Sequence, residues 1–408
     1  MIVDLRFMKF KDLGGARHAM AGLWFRVLHR SLCSMLLLAL EFQLATAFAQ
    51  GSLTPPGAPA PTMKSLDQIE SRTPIGSLPF VIAASGSYYL VTNLSGVAGT
   101  NGITITADSV SLDLNGFSLV GVPGSLNGIF ITDGRSSVVI RNGIIRYWDR
   151  DGIDALGASG AHFMNLHLLS NGRGGLSGSF GSVVKSCSAV TNAQWGIFAN
   201  IGSTVSDSTA RNNGSDGFSI SNDGSTIRDS ASSANGGSGF FGSGGNIFVN
   251  CSAARNNAHG FTGGGNIYRE CSATSNGTNG FNGGAVLEGC HSANNMGEGI
   301  VVSTGSTVRG NNCISNGDGT ADGAGIHATG GVNRIEGNVV RSNKRGIKVD
   351  GTRNIIFGNT AGANTINYVI AATNQVGLIV TPPASAAISG DAGGSGLGTT
   401  NPWANFAQ

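Results

Sequence analysis

A glycine followed by a large apolar residue recurs through most of the chain, and its spacing restricts the fold more than any other feature. The pair begins at Gly102, Gly128, Gly152, Gly175, Gly196, Gly217, Gly239, Gly260, Gly280, Gly299, Gly325 and Gly346, at intervals of 19 to 26 residues. Such a period is too long for one strand or helix. It suits one coil of a solenoid, with loops of unequal length absorbing the variation.

Stacking the coils turns the repeat into columns. The residue after each anchor glycine is always apolar: Ile103, Ile129, Ile153, Leu176, Ile197, Phe218, Phe240, Phe261, Phe281, Ile300, Ile326 and Ile347. This column is expected to point inward, with its phenylalanines stacked about 4.8 Å apart, the spacing of neighbouring strands. A second column is asparagine: Asn171, Asn192, Asn213, Asn235, Asn256, Asn276, Asn295, Asn316 and Asn343. Asparagine tolerates left-handed backbone at turns, and stacked amides bond coil to coil, so this column predicts a ladder and not a site.

From Asn192 on, five residues before each ladder asparagine stands something small or polar: Cys187, Ser208, Ser230, Cys251, Cys271, Cys290, Asn311 and Asn338. The cysteines, with Cys313 two residues off this column, match no zinc or haem spacing. Their position favours buried free thiols packing as small apolar groups. A bond between neighbours such as Cys271 and Cys290 is the second reading, because adjacent coils fall within disulfide reach.

Composition agrees with many short strands and tight turns. Glycine is 65 of 408 residues, only 12% are charged and 40% are hydrophobic. Disorder usually needs the reverse balance, and no Gly-X-Y triplet runs through the chain. From Val110 to Leu114 and from Ile103 to Ile105, apolar residues alternate as in half-buried strands.

Residues 1–49 read as a secretory leader. Arg26, His29 and Arg30 precede an apolar run from Leu32 to Leu40, and Ala47-Phe48-Ala49 offers a small-x-small cleavage site. The apolar run is too short to span a bilayer, so no membrane span is expected in the mature chain. The long stretch ahead of that run makes Met20 a second candidate start. Removing the leader takes six basic and three acidic residues and leaves a net charge of −1, which withdraws electrostatic support for a nucleic-acid partner. Residues 50–79 form a Pro/Gly linker and N-terminal capping segment, with Thr62–Arg72 able to form a short amphipathic helix. Residues 80–370 are the solenoid, and 371–408 a C-terminal cap or tail. The expected location is secreted, periplasmic or at the cell surface.

The short repeats, with the opening run Val110-Ser111-Leu112-Asp113-Leu114-Asn115-Gly116, resemble those of the right-handed parallel β-helix proteins of the pectate-lyase-like superfamily. The resemblance covers about Ser87 to Asn364. It implies an all-β, right-handed, single-stranded parallel β-helix of about 12 coils with an N-terminal cap. It implies no activity, because the superfamily spans lyases, hydrolases, epimerases, phage tailspikes and surface proteins. The motifs of its enzymes are missing. Ala258-His259-Gly260 lacks the first glycine of the polygalacturonase Gly-His-Gly, and Arg345-Gly346-Ile347-Lys348 interrupts Arg-Ile-Lys. Asn-Thr-Asp, Asp-Asp, the Tyr-Gly-Phe-Asp-Pro-His of alginate epimerases and the pectate-lyase patterns do not occur.

Chemistry is therefore sought on outward columns. One immediately precedes the anchors and includes Asp151, Trp195, Asp216, His259, Glu298 and Arg345. Another lies two residues after them and includes Asp154, Phe198, Phe241, His327 and Lys348. The densest stretch is Arg146 to Asp154. Asp149 and Asp151 lie about 7 Å apart on an extended chain, within the range of paired carboxylates in glycoside hydrolysis. The candidate catalytic residues are accordingly Asp149, Asp151 and Asp154, with solvated turn aspartates as the competing reading. Trp148, Trp195 and Phe198 are the candidate sugar platform. The out-of-step loop from Asn316 to Gly325 offers Asp318 and Asp322 as weak calcium candidates. Its spacing is not that of an EF-hand, and no other cofactor is expected. His162, His167, His259, His291 and His327 are scattered over different coils.

Two functions follow. One is a secreted protein that binds polysaccharide or a cell-surface glycan, with cleavage or modification of the polymer as its extension. The other is a non-catalytic surface, adhesive or scaffold protein using the solenoid as a rigid body.

Overall fold

The structure is a computed structural model that describes residues 71–221, 224–380 and 400–408. The leader, most of the N-terminal linker and capping stretch, and residues 381–399 of the tail lie outside them. The described residues contain no helix, and so none that could cross a membrane. They form a parallel β-helix with a 28-stranded sheet and a 14-stranded sheet. A typical coil gives one strand to the smaller sheet, as at Ile197–Ala199, and two to the larger, as at Thr204–Ser206 and Thr209–Arg211.

The register of the smaller sheet reproduces the apolar column. Ile197 pairs with Phe218, Phe218 with Phe240, Phe240 with Phe261 and Phe261 with Phe281. Their rings stack at 4.8 Å between centroids, tilted by no more than 5°. The sheet has 14 strands where the sequence predicts about 12 coils. The two extra members are Phe80, paired with Ile103, and Tyr368, paired with Ile347. Pro79 and Asn367 precede them in place of glycine, so the glycine-based count passes over both end coils.

The asparagine ladder runs from Asn171 to Asn364. Each side-chain amide donates to the next side-chain carbonyl, at 3.0 Å from Asn192 to Asn213 and 2.8 Å from Asn295 to Asn316. The same carbonyls accept backbone N–H groups, as Asn213 Oδ1 does from Asn192 N. Buried amides are tolerated because every donor is met. Left-handed backbone, however, falls on the residue before each ladder asparagine: Thr191, Asn212 and Ala234 have φ of 54° to 55°. The asparagines are there for their amides. The anchor glycines have a different cause, namely space. A Cβ on Gly196 would lie 2.6 Å from the Gly217 carbonyl oxygen.

The column containing Cys187 is a second inward row: Cys187 N donates to Ser208 Oγ, and Cys290 N to Asn311 Oδ1. The five described cysteines are buried free thiols. Burial raises the Cys187 pKa to about 11, so it packs as a neutral group. At the C-terminal end, Asn405–Ala407 pairs with Thr360–Gly362, and Asn405 accepts from Asn359 N.

Candidate functional site

The outward face of the 14-stranded sheet carries two clusters of paired charges, with a hydrogen-bonded group of His259, Thr278 and Asn282 between them. Its outer row is set by register: Asp154 pairs with Ser177, Ser177 with Phe198 and Phe198 with Ser219, while further along Val301 pairs with His327 and His327 with Lys348.

The first cluster is built around Asp151, which is 0% exposed. Its carboxylate accepts Arg173 Nε at 2.9 Å, Gly174 N at 2.8 Å and Ser177 Oγ at 3.1 Å, and pairs with the Arg173 terminal amino group. The same Arg173 nitrogen reaches Asp154 at 3.4 Å. Burial holds the Asp154 pKa above the usual carboxylate value, and the charges of Asp151 and Asp133 add to this, against the lowering effects of Leu156 N–H and Arg173. Arg173 also lies 5.7 Å from the centre of the Trp195 ring, within cation–π range, and Trp195 meets Phe198 at 6.2 Å. The indole lies over the previous coil because Gly174 has no side chain to obstruct it.

The predicted trio is thus partly assembled. Asp151 and Asp154 share Arg173. Asp149 turns to the preceding coil, where it accepts Gly124 N at 2.6 Å. Trp195 and Phe198 form a pair on the surface, but Trp148 does not join them. It is 1% exposed, and its Nε1 donates to the Leu119 carbonyl. Trp148 N donates to Asn171 Oδ1, which puts residue 148 in the ladder position of its own coil, where side chains point inward. Glycines line its slot: a Cβ on Gly96 or Gly102 would come within 2.6 Å of the indole. The expectation that Trp148 faces sugar is therefore corrected.

The second cluster was not anticipated. His327 Nδ1 lies 2.7 Å from Glu298 Oε1 and its Nε2 lies 2.7 Å from Asp350 Oδ2, with Lys348 Nζ 3.6 Å from the same Asp350 oxygen. The three partners come from three successive coils, so the histidine ties them together. The signal was present in the columns: Glu298 precedes one anchor, His327 follows the next by two, and Asp350 follows the third by four. Read along the chain these residues are scattered; read across it they are neighbours. Arg173 was missed for the same reason.

Burial opposes charge on His327, but the hydrogen bonds to Glu298 and Asp350 outweigh it, and the histidine pKa lies above its ordinary 6.5. Stability from this charged form is present in full below the ordinary value and is lost as pH rises through the raised one. A His327→Gln variant is expected to show its largest deficit in urea midpoint near about pH 6 and a smaller one near about pH 9. Equal deficits at both would mean the pairing does not depend on the histidine charge.

Nearby, the loop carrying the calcium candidates is tied down by side-chain cations. Arg345 pairs with Asp322 at 3.0 Å, and Lys344 Nζ donates to the Thr320 carbonyl. Asp322 and the Thr320 carbonyl oxygen therefore already face positive charge. No group of three or more His, Cys, Asp and Glu side chains among the described residues is arranged to hold a metal.

These features define a β-solenoid with one decorated face. The family described as "Right handed beta helix region" matches residues 81–229 and 199–334, and the chain belongs to it. No curated protein sequence matches the chain. Among solved structures, the mannuronan C-5 epimerase AlgE6 A-module of Azotobacter vinelandii is similar at 14% identity, over 77% of this chain and 91% of that one, with a TM-score of 0.49. A mutant of the periplasmic alginate epimerase AlgG is similar at 12% identity, over 68% and 77%, with a TM-score of 0.44. The catalytic domain of a GH87 alpha-1,3-glucanase is similar at 12% identity, over 74% and 67%, with a TM-score of 0.37. Likenesses at this level concern the fold alone.

Proposed function

We propose that the protein binds polysaccharide along the outward face of its 14-stranded sheet. The observation that carries this reading is the Trp195–Phe198 pair, set on Arg173 and level with the outer row that leads to His327. Six strand steps separate Phe198 from His327, about 29 Å at the usual strand spacing, so the face suits an extended chain more than a small molecule. Aromatic rings offer apolar surface to a pyranose ring, and the polar groups around them orient its hydroxyls.

The reading is of binding without turnover. Glycoside hydrolysis by two carboxylates needs an accessible acid and room between it and its partner. Asp151 is enclosed by Arg173, and His327 fills the gap between Glu298 and Asp350.

A glycan array probed with wild type, Trp195→Ala and Trp403→Ala tests the reading. Trp403 is an exposed tryptophan outside this face. Wild type and Trp403→Ala should bind alike, and Trp195→Ala at least about tenfold more weakly, as for loss of an aromatic anchor. Binding that survives Trp195→Ala, or an array with no retained glycan, counts against this face.

A further inference from the structure

The charges on this face say what kind of glycan it fits. An acidic polymer needs cations that are not already neutralised, and among the described residues most cations of the face are answered by carboxylates. Arg173 is held by Asp151 and Asp154. His327 lies between Glu298 and Asp350, Lys348 faces Asp350, and Arg345 faces Asp322. Arg150, on the turn leading into the face, makes no ion pair among the described residues, and neither does its sequence neighbour Asp149, which accepts Gly124 N.

Nearer the aromatic pair, a further carboxylate has no cation among the described residues. Asp216 lies one coil on from Trp195, whose following residue Gly196 donates its N–H to the Asp216 carbonyl at 3.1 Å. Its Oδ1 accepts Ser238 N at 2.7 Å, and its Oδ2 makes no hydrogen bond to the described residues. Ser219, outward on the same coil, pairs in register with Phe198, and its hydroxyl makes no bond to them either. Phe198 thus adjoins a free hydroxyl, while the Trp195 ring lies back over Gly174 and the Asp216 carboxylate reaches forward to the following coil. That combination accepts and donates to sugar hydroxyls while repelling a sugar carboxylate.

We propose that the ligand of this face is a neutral polysaccharide, with one sugar ring on Trp195 and Phe198 and the hydroxyls of a sugar farther along the polymer donating to Asp216. This rests on the binding face argued above and adds its substrate class and a specificity-determining residue. Charged acceptors make the stronger hydrogen bonds, so Asp216 is expected to contribute more than Ser219.

Affinity electrophoresis of the full chain separates the outcomes. The gels would contain hydroxyethylcellulose, galactomannan or laminarin as neutral polymers, and alginate or polygalacturonate as acidic ones. The expected result is retardation in a neutral gel, unchanged by added salt, and none in the acidic gels. In the neutral gel, Asp216→Asn should weaken retardation about tenfold, the loss of one charge-assisted hydrogen bond, while the introduced amide oxygen can still accept Ser238 N. Thermal unfolding of Asp216→Asn at the wild-type midpoint would show that its fold is intact. Retardation in alginate or polygalacturonate that fades with salt would overturn the neutral class while leaving the binding face in place. Unchanged affinity of a folded Asp216→Asn would overturn the role of Asp216. Retardation in no gel would overturn the binding face itself.

Discussion

Replacing Arg173 by alanine is expected to destabilise the protein by about 3 kcal/mol, because it leaves the carboxylate of Asp151 buried without its counter-charge. The estimate sits at the low end for a broken buried pair because Gly174 N and Ser177 Oγ would still bond Asp151, and Arg173 is itself about a third exposed. The double variant Arg173→Ala/Asp151→Asn distinguishes charge from packing. An amide needs no counter-charge, so the double variant should unfold at higher urea than Arg173→Ala alone. Equal midpoints would show that lost packing, and not the stranded charge, dominates. Glycan binding should weaken too, since Arg173 lies against the Trp195 ring.

The Phe240→Ala variant is expected to lose about 4 kcal/mol, in the range for removing a fully buried aromatic side chain. Phe240 is stacked on both faces, by Phe218 and Phe261 at 4.8 Å, and meets the edge of Phe248 at 5.9 Å. A cavity there cannot close easily, because backbone pairing with the coils on either side fixes the rings. The neighbouring Phe241 points outward and is 39% exposed, so Phe241→Ala should change stability by only about 0.5 kcal/mol or less. Urea titrations of the two variants check both numbers. Similar losses would mean the strand is in the opposite register.

Much of the fold was legible because a solenoid writes its third dimension into its period. Once the coils are aligned on glycine, the inward columns are read directly, and the stacked phenylalanines and the asparagine ladder fall into place. The same rule, applied strictly, would have placed Trp148 correctly. It stands four residues before Gly152, as Asn171 stands four before Gly175, and that position points inward. Its aromatic character suggested a surface platform, whereas its register put it in the core. Phe80 and Tyr368 were overlooked for the opposite reason: they hold the register without the glycine that marks it.

The candidate site was legible only in part. Trp195 and Phe198 are three residues apart, and their shared surface follows from one strand and the turn before it. The Arg173–Asp151–Asp154 and Glu298–His327–Asp350 groupings join different coils, with bonded partners 19 to 29 residues apart. Periodicity says which coil a side chain belongs to and which way it points. It does not say whether a long side chain reaches up or down to the coil beside it.

The sequence by itself determined the solenoid, its inward columns and its outward face, because burial and backbone pairing repeat with the period and depend on residue type alone. Only the tertiary structure decided which charges on that face are spent on one another and which are left unpaired. Those pairings depend on side-chain reach across coils, a distance of a few ångströms that no spacing along the chain records.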